Sequence, residues 1–241
     1  MLAIGLAFST FISTLLGGIT AFKNRDRLHR ILGYTAGVIL GVIAFDLLPE
    51  IFNIVHTQHI DPTGPMVALV AGFLIFHIGE KTITMHHAHE TEYGHHKHPR
   101  VGLFSALALV GHSFLDGVGI GLGFQAGETV GIAVAIAVIA HDFSDGLNTV
   151  SLMLNHKNSP KRSIILLICD ALAPVLGVAS TLLFTLSDSA LVIYLGFFTG
   201  FLLYIGASDI LPEAHSKHPS KITMALTVLG VVFMFIVTRF M

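Results

Sequence analysis

Residues 101–154 read VGLFSALALVGHSFLDGVGIGLGFQAGETVGIAVAIAVIAHDFSDGLNTVSLML, and the fold turns on this stretch. It holds two apolar runs, 101–124 and 128–154, each long enough to cross about 30 Å of hydrocarbon as a helix. Each run carries a histidine and acidic side chains about a dozen residues in, roughly 17 Å along a helix and so near mid-membrane. Working outward, further apolar runs lie near 2–22, 31–55, 66–85, 163–186, 190–211 and 221–240, so eight expected spans fill the chain. Composition agrees. With 53% hydrophobic and 12% charged residues in 241, and a mean hydropathy of +0.78, there is far more apolar side chain than one soluble core of this length takes up. The expected fold class is therefore all-α: a polytopic, integral membrane protein of eight transmembrane helices, with membrane lipid as its solvent and residues 1–241 as a single transmembrane domain. The first run lacks a basic leading region and a cleavage site, so it reads as a retained helix rather than a signal peptide.

Loop charges orient the spans, because cytoplasmic loops collect Lys and Arg. The first loop has Lys23, Arg25, Arg27 and Arg30; the third has Lys81, Lys97 and Arg100. The fifth has Lys157, Lys161 and Arg162, and the seventh Lys217 and Lys221. Of the 13 basic residues only Arg239 falls elsewhere, and the even-numbered loops have none. The expectation is a multi-pass chain with both termini on the extracytoplasmic side.

Two internal repeats sharpen the topology. Leu32-Gly33, Gly37, Ala44, Asp46 and Leu48-Pro49-Glu50 recur 163 residues later as Leu195-Gly196, Gly200, Ala207, Asp209 and Leu211-Pro212-Glu213. His112, Phe114, Asp116 and Gly117 recur 29 residues later as His141, Phe143, Asp145 and Gly146. Chance repetition accounts for glycines in any apolar helix, but not for the matched charges and prolines. Both pairs are separated by an odd number of crossings, which inverts one copy against the other, so a 3+2+3 inverted-repeat arrangement is expected, with its site at the repeat interface.

The composition also excludes several functions. A net charge of -2 offers no basic face for nucleic acid, and no Gly-x-x-x-x-Gly-Lys segment is present to cradle a nucleotide phosphate. Cys169 is the sole cysteine, which rules out internal disulfides and Cys-rich zinc sites and leaves the 15 histidines as the softer ligands.

On each mid-membrane helix the His and the Asp four residues on share a face, so one helix offers His112, Ser113 and Asp116 and the other His141, Asp142 and Asp145. Three ionised carboxylates at mid-membrane cost roughly 8 to 10 kcal/mol if the insertion penalties are added. A divalent cation offsets that, and imidazole with carboxylate suits zinc, iron, manganese or cadmium rather than cuprous ion. The donors exceed one tetrahedral shell, so Asp116 and Asp145 are candidates to bridge two metals. The competing structural reading is a set of interhelical hydrogen bonds with no metal.

Around this centre, Asp170 in span six is a candidate extra ligand, four residues before a potentially kinking Pro174. Asp46 and Glu50 are expected toward the outer mouth, and Asp209 and Glu213 toward the cytoplasm. His77 and Glu80 share a face at the inner end of span three. The glycines from Gly117 to Gly123 read as helix packing. Residues 86–98 hold six histidines in thirteen positions, a His-rich cytoplasmic loop suited to loose metal collection.

These residues resemble the ZIP (Zrt, Irt-like protein) metal transporter family. The likeness covers nearly the whole chain: the span count and termini, Leu48-Pro49-Glu50 closing span two, Glu80-Lys81 ending span three, and the His-rich third loop. His112-Ser113-Phe114-Leu115-Asp116-Gly117 is its most specific motif. The resemblance implies a paired metal site between spans four and five, import of Zn2+ or a similar ion into the cytoplasm, a homodimer as a common assembly, and alternating access by motion of one helix bundle against another. Many members have His-Glu-x-x-His in span five, whereas this chain has His141-Asp142-Phe143-Ser144-Asp145. The carboxylate in place of the second His hardens the site and brings Fe2+ and Mn2+ into the expected range. The rival reading is an intramembrane zinc-dependent hydrolase, with Asp142 as general base on a metal-bound water.

Overall fold

The computed structural model describes residues 2–23, 28–91, 99–215 and 220–240. Among these the chain is helical with no strand: α1 Leu2–Lys23, α2 Leu28–Val42, α3 Leu48–Thr57, α4 Thr63–Thr91, α5 Pro99–Ala126, α6 Glu128–Asn155, α7 Pro160–Thr181, α8 Asp188–Leu203, α9 Leu211–His215 and α10 Lys221–Phe240. Seven stretches are long and apolar enough to cross a membrane. The third expected span differs. Its apolar stretch is described over Thr63–Gly79, within an α4 that itself runs for 29 residues. α4 also carries the first half of the His-rich segment, as far as Thr91, as helix rather than loop; residues 92–98 lie outside the described residues.

Two π turns interrupt long rods, and hydropathy gave no sign of them. α2 joins α3 through Ile43–Leu47, and α8 joins α9 through Tyr204–Ile210. A proline sits just beyond each. Pro49 has no N–H for the Phe45 carbonyl and its ring crowds that oxygen, and Pro212 stands in the same relation to Ser208. The helix widens to make room: Leu48 N–H donates to Ile43 O, and Leu211 N–H to Gly206 O, each spanning five residues instead of four. Both ends of these bonds are 163 residues apart, the offset of the sequence repeat.

Glycines set the closest helix contacts, and these recur too. A Cβ on Gly17 would strike the Phe143 carbonyl and one on Gly146 the Thr14 carbonyl, pressing α1 onto α6. The same pattern presses α7 onto α5, with Gly177 on Phe114 and Gly117 on Pro174. Likewise Gly37 meets Thr227 and Gly230 meets Tyr34 between α2 and α10, while Gly200 meets Leu69 and Gly72 meets Phe197 between α8 and α4. Pro174 thus serves as a packing surface inside a continuous α7.

The helices sort into two bodies. α1, α5, α6 and α7 pack on one another, α2–α3, α4, α8–α9 and α10 do likewise, and the bodies meet chiefly where α2 lies on α6 and α8 on α5. α6 is the innermost rod: 72% of its apolar window is buried, against 17% for α10. Side-chain amides pin two of the connections between bodies. Asn158 Nδ2 donates to Pro99 O (2.9 Å) at the start of α5. Gln125 Nε2 donates to Thr181 O and Phe184 O (3.2 and 2.8 Å), while its Oε1 accepts from Leu186 N–H (3.0 Å). That clamp explains why span six, expected to reach 186, stops as helix at Thr181 and tightens through i to i−3 bonds at Leu182 and Leu183. Outside the membrane-spanning parts, Thr63 N–H donates to Asp61 Oδ1 (2.8 Å), capping α4 and holding that carboxyl below its usual range.

Candidate metal centre

α5 and α6 face each other with the two recurring motifs side by side. On each helix the four-residue spacing stacks a histidine over an aspartate, and the pairs converge: one ligand atom each from His112, Asp116, His141 and Asp145 lie within 4.8 Å of one another. Asp116 Oδ2 is the hub, 3.3 Å from both His112 Nε2 and His141 Nε2. Asp145 Oδ2 stands 3.7 Å from the same two nitrogens. A tetrahedral ion with bonds of about 2.0–2.1 Å has ligand-to-ligand edges of roughly 3.3–3.4 Å. Four edges of the cluster therefore lie within a few tenths of an ångström of that geometry.

The histidines present themselves differently. His141 is fully buried, and its Nδ1 sits 2.9 Å from the Ala137 carbonyl, which accepts only from an N–H. This bond sets the tautomer and leaves the Nε2 lone pair toward the cluster. His112 keeps 14% of its side chain exposed, and its ring meets Phe201 edge-on at 4.8 Å and Phe76 at 6.3 Å, both from the other body.

The remaining predicted residues occupy distinct places. Ser113 Oγ donates to Asp170 Oδ1 (2.7 Å) and Thr149 Oγ1 to Asp170 Oδ2 (2.8 Å), so both oxygens of this buried carboxylate have hydroxyl donors. Asp142 accepts a long bond from Thr14 Oγ1 (3.3 Å) on Oδ2, while its Oδ1 is buried without a hydrogen bond, 3.9 Å from His141 Nε2. Asp46 is buried in the first π turn with Oδ2 unpartnered, and Glu50 accepts from Asn53 at 3.4 Å near the surface. The side chains of Asp209 and Glu213 lie outside the described residues, although the backbone carrying them is helical. The same holds for Glu80.

Sequence reasoning missed Thr14, Thr149, Phe76 and Phe201. Thr149 had a legible signal, since it lies four residues beyond Asp145 on the same helix face. The others reach the site only through tertiary packing.

A family model described as "ZIP Zinc transporter" matches residues 95–238, which takes in α5 through α10 and all four residues of the cluster. No curated protein matches the chain.

Proposed function

The chain belongs to the ZIP zinc transporter family, and on that premise we propose that it moves Zn2+, with Fe2+, Mn2+ and Cd2+ as alternative cargo, into the cytoplasm through the His112, Asp116, His141 and Asp145 cluster. The observation that carries this reading is the convergence of two imidazole nitrogens and two carboxylate oxygens from the two copies of one motif. Nitrogen and oxygen donors in equal number suit borderline and harder divalent ions. Asp142 Oδ1, buried and unpartnered beside His141, is the candidate for a second metal or for handing the ion on. Asp46 is the candidate at the outer mouth, and Asp209 and Glu213 at the inner one.

The recurring glycine contacts and the paired π turns support the 3+2+3 inverted-repeat arrangement, with the alternating loop charges favouring extracytoplasmic termini. In this reading the cluster belongs to one body while α2 and α8 of the other wall it, so sliding between bodies opens it to either side. The cluster favours transport over hydrolysis. Hydrolysis needs an open coordination position, and four converging protein donors are enough to fill a tetrahedral shell.

Uptake of zinc by vesicles containing only the purified chain and lipid tests the proposal. Metal accumulation above protein-free vesicles, lost in Asp116→Ala at equal incorporation, is the expected result. Zinc binding without accumulation in vesicles of either protein orientation would refute transport by this route.

A further inference from the structure

Among the described residues, Ser144 Oγ is the serine or threonine hydroxyl oxygen that is wholly shielded from solvent and makes no hydrogen bond. The residue as a whole is 2% exposed. A buried helical hydroxyl ordinarily bonds back to a carbonyl three or four residues earlier. Thr10, Thr14, Ser163, Thr181 and Thr199 all do so here. Of the two carbonyls within its reach, those of His141 and Ala140, the second already accepts from Thr35 Oγ1 of α2 in the other body (3.1 Å), and Ser144 bonds to neither. Leaving a hydroxyl buried and unmade costs on the order of 1–3 kcal/mol, so its retention calls for a partner absent from the resting contacts.

Its position says what that partner is. Ser144 follows His141 by three residues and precedes Asp145 by one, which places it about 60° round the helix from His141 and about 4.5 Å further along. It flanks the His141 side of α6, about 100° from Asp145 and displaced toward the C-terminal end of the helix, and the Thr35 bond to Ala140, four residues earlier, brings α2 of the other body to this flank. A hydroxyl oxygen next to two ligands is an oxygen donor for a divalent ion or for a water in its shell.

We propose that Ser144 Oγ is a further cargo-contacting group, engaging the ion as it leaves the four-residue cluster toward the C-terminal end of α6. This rests on the reading that the cluster holds transported metal. Ser144 is idle while the ion sits among His112, Asp116, His141 and Asp145, and takes a position in its shell as the histidines let go. It acts on the rate of passage, not on the first capture.

The test uses the full chain in vesicles and in detergent. Ser144→Ala lowers the maximal uptake rate of zinc about fivefold, the rate equivalent of one net hydrogen bond or weak ligand, and leaves equilibrium zinc affinity unchanged. It melts no lower than wild type, because an unsatisfied hydroxyl has been removed. Ser144→Thr, which keeps the hydroxyl, retains the greater part of the rate. In a Cys169→Ser background, Ser144→Cys gives a cadmium–thiolate charge-transfer band on adding Cd2+, and the background alone gives none. Full uptake rate in Ser144→Ala, with no such band from Ser144→Cys, overturns the assignment. Zinc binding and uptake by wild type in the same preparation separate this from the underlying reading: if wild type binds no zinc, both fall together, and if it binds and transports, only Ser144 is at issue.

Discussion

α5 and α6 carry one motif twice, and the two copies live in different surroundings. On α6, His141 is sealed, its Nδ1 tied to the Ala137 carbonyl of its own helix. On α5, His112 is part-exposed and edged by Phe76 and Phe201, which belong to the opposing body. The second motif position diverges as well: Ser113 donates to Asp170 across to α7, while Asp142 receives a hydroxyl from Thr14 on α1. A repeat thus supplies two equivalent His–Asp pairs, and packing encloses one histidine within its own body while the other borders the opposing one. Asp116, the hub between the two histidines, belongs equally to both.

The largest expected effect follows from that hub. Asp116→Ala removes the oxygen 3.3 Å from each histidine, so uptake should fall by about 100-fold or more, beyond the usual cost of losing a supporting partner. Asp145→Ala should also abolish uptake at near-normal abundance, its oxygen being 3.7 Å from the same atoms. Vesicle uptake at matched protein incorporation measures both; activity above about a third of wild type in either would remove that residue from the ligand set.

The histidines should then separate. His141→Ala should weaken zinc affinity on the order of 100-fold, because a pre-oriented ligand is lost. His112→Ala should weaken it less and, on the proposed sliding of the bodies, slow transport more, since this ring also touches the opposing body. Calorimetric zinc titration beside uptake kinetics decides it, and equal losses in both assays would break the distinction between the enclosed and the bordering histidine.

How much of this the sequence disclosed follows from what is local. The spans, the loop charges and the ligand pairs depend on hydropathy and four-residue spacing, so they are readable from a string of letters. The π turns are a middle case. Pro49 and Pro212 were visible within the repeat, yet the sequence does not say whether the freed carbonyls kink a helix, end it or widen it. In the fold they widen it, where α2 and α8 lie close against α10 and α4 through glycine contacts. Gly117 and its neighbours read correctly as packing, but what they pack on, Pro174 and Thr181 of α7 for Gly117 and Gly121 and Phe198 of α8 for Gly119, is distant in sequence and follows only from the fold. The roles of Asp170 and Ser144 were hidden for the same reason. What distinguishes a carboxylate with two hydroxyl donors from one with an unpartnered oxygen, or a bonded serine from an idle one, is the neighbouring helix.

A smaller effect tests the motif's second position. Ser113→Ala and Thr149→Val each strip a donor from the buried Asp170 carboxylate, and each should destabilise the fold by about 1–3 kcal/mol. Thr14→Val should cost less, because the single Thr14 hydroxyl proton is shared between the Thr10 carbonyl at 3.0 Å and Asp142 at 3.3 Å, so Asp142 loses only part of a donor. Thermal unfolding in detergent, followed by helix content, ranks the three. A Thr14→Val loss equal to the other two would mean the two halves hold their carboxylates alike.

The smallest expected effect is also the most direct probe of the asymmetry. Phe201 meets the His112 ring edge-on at 4.8 Å, while His141 makes its polar contacts within α5 and α6. Edge-to-face aromatic pairs contribute about 0.5–1.5 kcal/mol beyond the area they bury. In a double-mutant cycle, Phe201→Leu should therefore couple to His112→Asn by about that amount in the uptake rate, a factor of roughly two to ten. The same substitution should couple more weakly to His141→Asn, which Phe201 reaches only through the His112 ring they both meet. Leu keeps the bulk and loses the ring edge, so general packing loss enters both cycles equally and cancels in their comparison. Coupling of equal size with the two histidines would mean that Phe201 acts on the site as a whole. Coupling confined to His112 would mark that ring as the point where the opposing body feels the occupied site.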